Sequence, residues 1–139
     1  MCDEPITVVR RLYDGFERAD IEAIVGAFDP SVEIFAPETL PWSNGNYTGK
    51  DGALEYFRGA LSVLDGNRFD VQEFHTDGGW VAAVGKWSAT VRATGDAFDV
   101  RFVHFWTVRD GKIVKAEGIS DTAGIVRAFT ERPAVTAGA

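Results

Sequence analysis

The sequence predicts an α+β fold in which helices pack on one face of a curved antiparallel sheet, and three observations lead there. Apolar residues recur at three- and four-residue steps through most of the first 65 positions. From Arg68 onward the period changes to strict alternation, and turn signals at Asp77-Gly78-Gly79, Gly95-Asp96 and Asp110-Gly111 divide that half into four strands. Helical and strand periods thus occupy separate parts of the chain, as a segregated α+β architecture requires and an alternating α/β one does not.

In the first segment Ile6, Val9, Leu12, Tyr13 and Phe16 form an apolar stripe, with Arg10, Arg11, Asp14, Glu17 and Arg18 between them, so an amphipathic helix opens the fold. Asp20 is placed to cap a second helix carrying Ile21, Ile24, Val25 and Phe28, which Asp29-Pro30 ends. Residues 31–37 read as a short strand, and 38–49, with Pro41, Asn44, Gly45, Asn46 and Gly49, as an irregular loop bearing Trp42 and Tyr47. Thr48 and Asp51 have the spacing of a capping box for a third helix, whose stripe Leu54, Phe57, Leu61, Leu64 stops at Gly66-Asn67. After the four strands, Ser120-Asp121-Thr122 offers capping oxygens to a last short helix with Ile125, Val126 and Phe129.

The length, 139 residues, suits one domain, taken as 1–130, with 131–139 as a flexible tail lacking any core-forming pattern. A hydrophobic share of 45% against 25% charged disfavours disorder. The net charge of −7 repels phosphate backbones and anionic headgroups, which excludes nucleic acid and membrane surfaces as partners. No apolar run approaches the about 18 residues of a membrane span, and the acidic start, 1–5, is unlike a secretory leader, so a cytoplasmic location is expected. Cys2, the single cysteine, stands in a frayed terminus, and His75 and His104 lie far apart, so neither a disulfide nor a bound metal or other cofactor is expected.

The segment 98–108 carries the chemistry. One alternating face reads Phe98, Val100, Phe102, His104, Trp106, Val108, and His104 is the only ionisable group on it. Reading Arg109-Asp110-Gly111 as a three-residue hairpin pairs Val108 with Lys112 and sets Trp106 against Val114, His104 against Ala116, Phe102 against Gly118 and Val100 against Ser120. Small side chains then face large ones. A two-residue loop would instead set His104 opposite Glu117; the first register keeps apolar against apolar. Val81, Ala83, Gly85, Trp87, Ala89 and Val91 join the same buried surface. Trp87, Trp106 and Phe102 interleaved with glycines and alanines describe either a packed core or the wall of a cavity.

The element order, the start Asp20-Ile21-Glu22-Ala23-Ile24 of the second helix, Leu40-Pro41-Trp42 with Tyr47-x-Gly49, and Asp110-Gly111-Lys112-Ile113 with Asp121 ten residues past the glycine resemble the nuclear transport factor two-like superfamily. Within it the chain is most similar to SnoaL-like and ketosteroid isomerase-related proteins, over 6–129. The resemblance implies a cone-shaped curved antiparallel sheet with three helices enclosing a pocket, a cystatin-like α+β barrel. It also implies Tyr13 at, or one residue from, the position of an oxyanion-binding tyrosine. His104 falls both at the isomerases' oxyanion aspartate and at the polyketide cyclases' histidine, seven residues before the hairpin glycine. The carboxylates of those families are replaced here by Ala36 and Gly118.

His104 and Tyr13 are therefore the candidate catalytic pair, with Glu38, just past Pro37 on the loop at the pocket mouth, as a replacement base. Trp42, Phe57, Trp87, Phe102, Trp106, Gly118 and Ser120 are the candidate ligand-binding residues. His75, at a strand end, reads as solvated, and Asp121 as a helix cap. The reading is a cofactor-independent isomerase, cyclase or dehydratase acting on a small apolar polyketide- or steroid-like molecule; the alternative is a non-catalytic binding protein on the same scaffold. Val103, Phe105, Ile113 and Ile119 are placed on the outer sheet face, which with Arg101, Lys115 and Glu117 suits a homodimer contact.

Overall fold

A computed structural model describes residues 3–130. The expected tail at 131–139 and Cys2 lie outside the described residues. Helix α1 (Pro5–Glu17) begins with proline in its first turn and buries Val9, Leu12, Tyr13 and Phe16, the predicted stripe. Ala19 then takes a left-handed conformation (φ 53°) that turns the chain into α2 (Ile21–Gly26). The Asp20 carboxylate caps that helix by accepting from the Ala23 N–H at 3.1 Å.

Strand β1 (Phe28–Phe35) starts earlier than the sequence predicts, so Phe28, Asp29 and Pro30 belong to the sheet and not to the helix or its stop. Phe28 is fully buried and pairs with Ile113, and the register slips between Phe28 and Glu33, an irregularity in which Pro30 is tolerated. Strand β2 (Asn46–Thr48) takes Tyr47 out of the predicted loop and pairs antiparallel with β1. Helix α3 (Gly49–Val63) buries Ala53 and Phe57. Thr48 occupies its N-cap position but makes no side-chain capping bond, so the predicted capping box does not form. The helix also ends before Gly66, because Leu64 is taken up in pairing with Val91.

Strands β3 (Leu64–Asp77), β4 (Trp80–Val91), β5 (Ala97–Arg109) and β6 (Lys112–Ser120) are the four predicted antiparallel strands. The sheet order is β2-β1-β6-β5-β4-β3. The expected cone-shaped α+β fold is present, and two features refine it: β1 runs parallel to β6, so the sheet is mixed, and the six-stranded sheet is curved and unclosed. Where β3 bulges between Val71 and Glu73 its backbone crowds Gly85, at which a Cβ would come within 2.0 Å of the Asp70 carbonyl oxygen. Helix α4 (Thr122–Phe129) follows β6 and is capped by Asp121, whose side chain accepts from the Gly124 N–H.

The β5–β6 register departs from both readings of the sequence. Asp110 and Gly111, both at positive φ (51° and 74°), make a two-residue turn that pairs Arg109 with Lys112. One extra residue in β6 is then absorbed between the Val108–Ile113 and Thr107–Lys115 pairs. Trp106 thus faces Ala116, His104 faces Gly118 and Phe102 faces Ser120, while Glu117 faces Phe105. The bulge moves the pairing by two residues from the expected one, so every side chain keeps its predicted face from Thr107 inward and small still opposes large. Before the bulge the face reverses: Ile113 is fully buried and does not belong to the outer surface where it was placed.

Candidate functional site

Alternation along β5 aims His104 into the cone between Phe102 and Trp106, and α1 crosses that surface with Tyr13 directed at it. The Tyr13 hydroxyl lies 2.7 Å from His104 Nδ1, and the Trp106 indole N–H donates to the same hydroxyl at 3.1 Å. An indole N–H can only donate, and a phenol carries one proton. Among the described residues Nδ1 is the acceptor within reach of the Tyr13 proton, so the arrangement that satisfies all three groups has Tyr13 accepting from Trp106 and donating to Nδ1. Nδ1 is then an acceptor, and a neutral imidazole must carry its hydrogen on Nε2.

Electrostatics keep the ring neutral. Burial lowers the His104 pKa from 6.5 to about 3, because removal from water penalises the charged imidazolium. Burial likewise raises the Tyr13 phenol well above its ordinary value, and the Trp106 N–H offsets only part of that. The ring is held between Phe102, at 4.4 Å between centroids, and Phe69, at 5.6 Å. It keeps some accessible surface, as a residue on a cavity wall must.

That cavity has a volume of about 80 Å³. Its wall includes Trp42, Phe57, Trp87, Trp106, Gly118 and Ser120 among the predicted ligand-binding residues, together with His104. Phe102 is buried behind the wall, where it packs on the imidazole. Tyr13 also stands behind His104, so it positions the imidazole and does not line the cavity. Gly118 opens the space beside the ring: a Cβ there would lie 3.5 Å from His104 Cδ2 and 3.8 Å from Nε2. The Nε2 edge therefore borders the cavity, and among the described residues it has no hydrogen-bond partner.

Glu38 is not brought to this wall. It is exposed, and its side chain lies across Gly45. Ala36 and Pro37 do line the cavity, so the end of β1 faces the interior without a carboxylate. The one acidic residue at the cavity boundary, Glu117, is exposed and paired with Phe105. His75 is exposed on β3. Among the described residues no group of three or more His, Cys, Asp or Glu is placed to hold a metal ion, and no helix is long and apolar enough to cross a membrane.

Tyr56, Phe69 and Asn67 are among the cavity residues not singled out from the sequence. Tyr56 shares α3 with Phe57 but falls outside the strict stripe; a wider helical face would have included it. Phe69 stacks on Trp87 at 5.3 Å, and strand alternation through 69, 71 was the available signal. Asn67, read as a helix stop, accepts from the Trp87 indole N–H at 2.9 Å.

No curated protein matches the sequence. Among solved structures, an NTF2-like protein from Burkholderia thailandensis is 31% identical, with a TM-score of 0.82 over 92% of this chain and 98% of that one. TerC, crystallised with polyporic acid, is 32% identical, with a TM-score of 0.79 over 90% of this chain and 97% of that one. IdmH from Streptomyces antibioticus, described as a candidate polyketide cyclase, shares the fold at 22% identity, with a TM-score of 0.77 over 91% of this chain and 99% of that one. The SnoaL-like domain family matches residues 9–116, most of the chain and nearly all of the cone, and the protein belongs to that family.

Proposed function

We propose that this single domain is a cofactor-independent enzyme that binds a small, largely apolar molecule through a carbonyl oxygen and promotes isomerisation, dehydration or cyclisation next to that carbonyl. The observation that carries the reading is the relay from Trp106 through Tyr13 to His104, which leaves an Nε2–H donor at the edge of an apolar cavity. A neutral donor held in a water-poor site gains strength as negative charge builds on the carbonyl oxygen, so it stabilises an enolate-like transition state more than the ground state. With a pKa near 3 the imidazole is a poor base at neutral pH, which assigns His104 to hydrogen-bonding the developing enolate oxygen without giving up its own proton, while the proton leaving the carbon passes to a separate base and returns from it to the product. A base role for Glu38 requires the 38–45 loop to fold inward. The kinship with TerC, crystallised with polyporic acid, supports an oxygen-bearing ring compound as ligand class.

Hydrogen–deuterium exchange at the carbon beside the carbonyl of 1-tetralone tests this. The native protein should accelerate the exchange, and His104→Gln should remain folded and slow it by roughly 100- to 10,000-fold, the usual loss of a general acid/base or oxyanion donor. Undiminished exchange in folded His104→Gln removes this mechanism. A second reading, a non-catalytic binding protein, is favoured by the absence of carboxylates at Ala36 and Gly118; it predicts that 1-tetralone binds with no acceleration at all.

A homodimer through the outer sheet face belongs to the same proposal. Trp80, 39% exposed, stacks on Phe105 at 5.6 Å, and Ile119 beside Val103 is 53% exposed, a surface more apolar than solvation favours. Sedimentation should give a dimer at micromolar concentration; monomer alone would count against it.

A further inference from the structure

The wall of the cavity away from His104 contains a second unused donor. Trp42 Nε1 is buried and makes no hydrogen bond among the described residues. It is held there by edge-to-face contact with Trp87 at 6.0 Å and by Phe129 at 5.9 Å. An indole N–H removed from water without an acceptor costs on the order of 1–3 kcal/mol, so a stable fold has reason to keep one only where something fills the vacancy. The Tyr56 hydroxyl is near: it lies close enough for the Trp42 N–H to offset part of the strong upward push of burial on the phenol, but not in hydrogen-bonding geometry. Trp42 and Tyr56 both line the same cavity as His104. Between the two ends runs a floor of rings, Trp87 stacked on Phe69 at 5.3 Å and Phe69 beside His104 at 5.6 Å.

We propose that the Trp42 N–H, with the Tyr56 hydroxyl beside it, is a second oxygen-binding subsite, and that the ligand is a flat ring compound carrying acceptor oxygens at two ends. The proposal rests on the reading of His104 as the first donor and deepens it. Both ends offer donors, and the one carboxylate at the cavity boundary, Glu117, is exposed and pairs with Phe105, one position off the His104 face, which selects carbonyl, ether or enolate oxygens over amines. Two donors also orient the molecule, so that one carbonyl is held at Nε2 while the other end is anchored by a Trp42 that shifts with its loop to admit it. A ligand with a single oxygen leaves one buried donor unpaired and is disfavoured accordingly.

A matched pair of probes separates the two ends: 6-methoxy-1-tetralone has a second acceptor opposite its carbonyl, and 6-ethyl-1-tetralone replaces that oxygen with a methylene of nearly the same shape. The native protein should bind the methoxy compound about three- to tenfold more tightly, the range of one net hydrogen bond. Trp42→Phe should abolish that preference while still binding both. His104→Gln should weaken both probes alike and leave the preference in place. Titration of the native protein, followed by the indole N–H resonance that Trp42→Phe removes, should shift that signal with the methoxy compound and not with the ethyl one. Equal affinity of the two probes for native protein, or a preference that survives Trp42→Phe, overturns the subsite while a loss of affinity in His104→Gln still supports the first donor. Probes that distinguish at Trp42 but ignore His104→Gln overturn the His104 reading and, with it, the two-ended ligand. Failure of both probes to bind overturns both.

Discussion

Replacing Tyr13 with phenylalanine keeps the ring that packs on Phe16, Phe69 and Phe102 and removes one oxygen. That oxygen serves two hydrogen bonds, accepting from Trp106 Nε1 and donating to His104 Nδ1. Trp106 is 4% exposed, so its N–H would be left buried without an acceptor at a cost of about 1–3 kcal/mol. The Nδ1 acceptor loses a further bond worth about 1 kcal/mol. The substitution should therefore destabilise the fold by about 2–4 kcal/mol, lowering the midpoint of thermal unfolding by on the order of 10 °C for a domain of this size. Denaturant titration gives the first quantity and calorimetry the second. A structural role alone would end there, but positioning has its own signature. Without the phenol proton nothing fixes hydrogen on Nε2, so Tyr13→Phe should show a mixture of imidazole tautomers and weaker binding of 1-tetralone even at temperatures where it is fully folded. A loss below about 0.5 kcal/mol together with an unchanged tautomer would refute the relay.

Acid should unfold the protein partly through His104. Its folded pKa, about 3, lies below the unfolded 6.5, so the unfolded chain binds more protons between those values. The stability held by the neutral ring is complete above pH 6.5 and is lost as pH falls toward 3, by about 2 kcal/mol between pH 6.5 and 4.5. Denaturant titrations across that window should show this slope in native protein and its absence in His104→Gln. Gly118→Ala adds a methyl at ordinary contact distance from the imidazole, so stability should change by less than about 1 kcal/mol while 1-tetralone affinity falls at least tenfold; retained affinity would place the ligand elsewhere. The cavity of about 80 Å³ is smaller than the engineered site of about 150 Å³ that accepts benzene, so a bicyclic ligand must enlarge it, with the 38–45 loop shifting outward and the Trp42 N–H staying on the ligand. Hydrogen exchange in 38–45 should change on binding while β4 and β5 stay protected, and an unchanged loop would show that Trp42 does not move.

His104 was legible in the sequence because strand alternation fixes its face whatever the hairpin does. The expected three-residue turn and the observed two-residue turn plus bulge differ by two positions in partner, and an even slip leaves a side chain on its own side. Ile113 precedes the bulge, so the same reasoning failed there: no pattern in Lys112 to Lys115 marks which residue is extra. The pairing of Tyr13 with His104 joins positions 91 apart, and the helical stripe shows only that Tyr13 faces inward. The family resemblance, not periodicity, named it. Asn67 and Tyr56 became cavity residues through the lateral placement of α3 against the sheet, a tertiary quantity that no local spacing encodes. Phe28 and Pro30 were assigned to a helix end because a proline usually marks one, and burial of Phe28 against Ile113 overrode that preference.

The central claim is that His104 is a neutral donor whose hydrogen is held on Nε2 by Trp106 and Tyr13. Nitrogen-15 NMR of the imidazole, recorded from pH 5 to pH 8, reads this directly. The account predicts an unprotonated Nδ1 and a protonated Nε2 throughout, with no titration in that range. A ring protonated at Nδ1 and bare at Nε2, or one that takes up a second proton with a midpoint near its ordinary value, would contradict it.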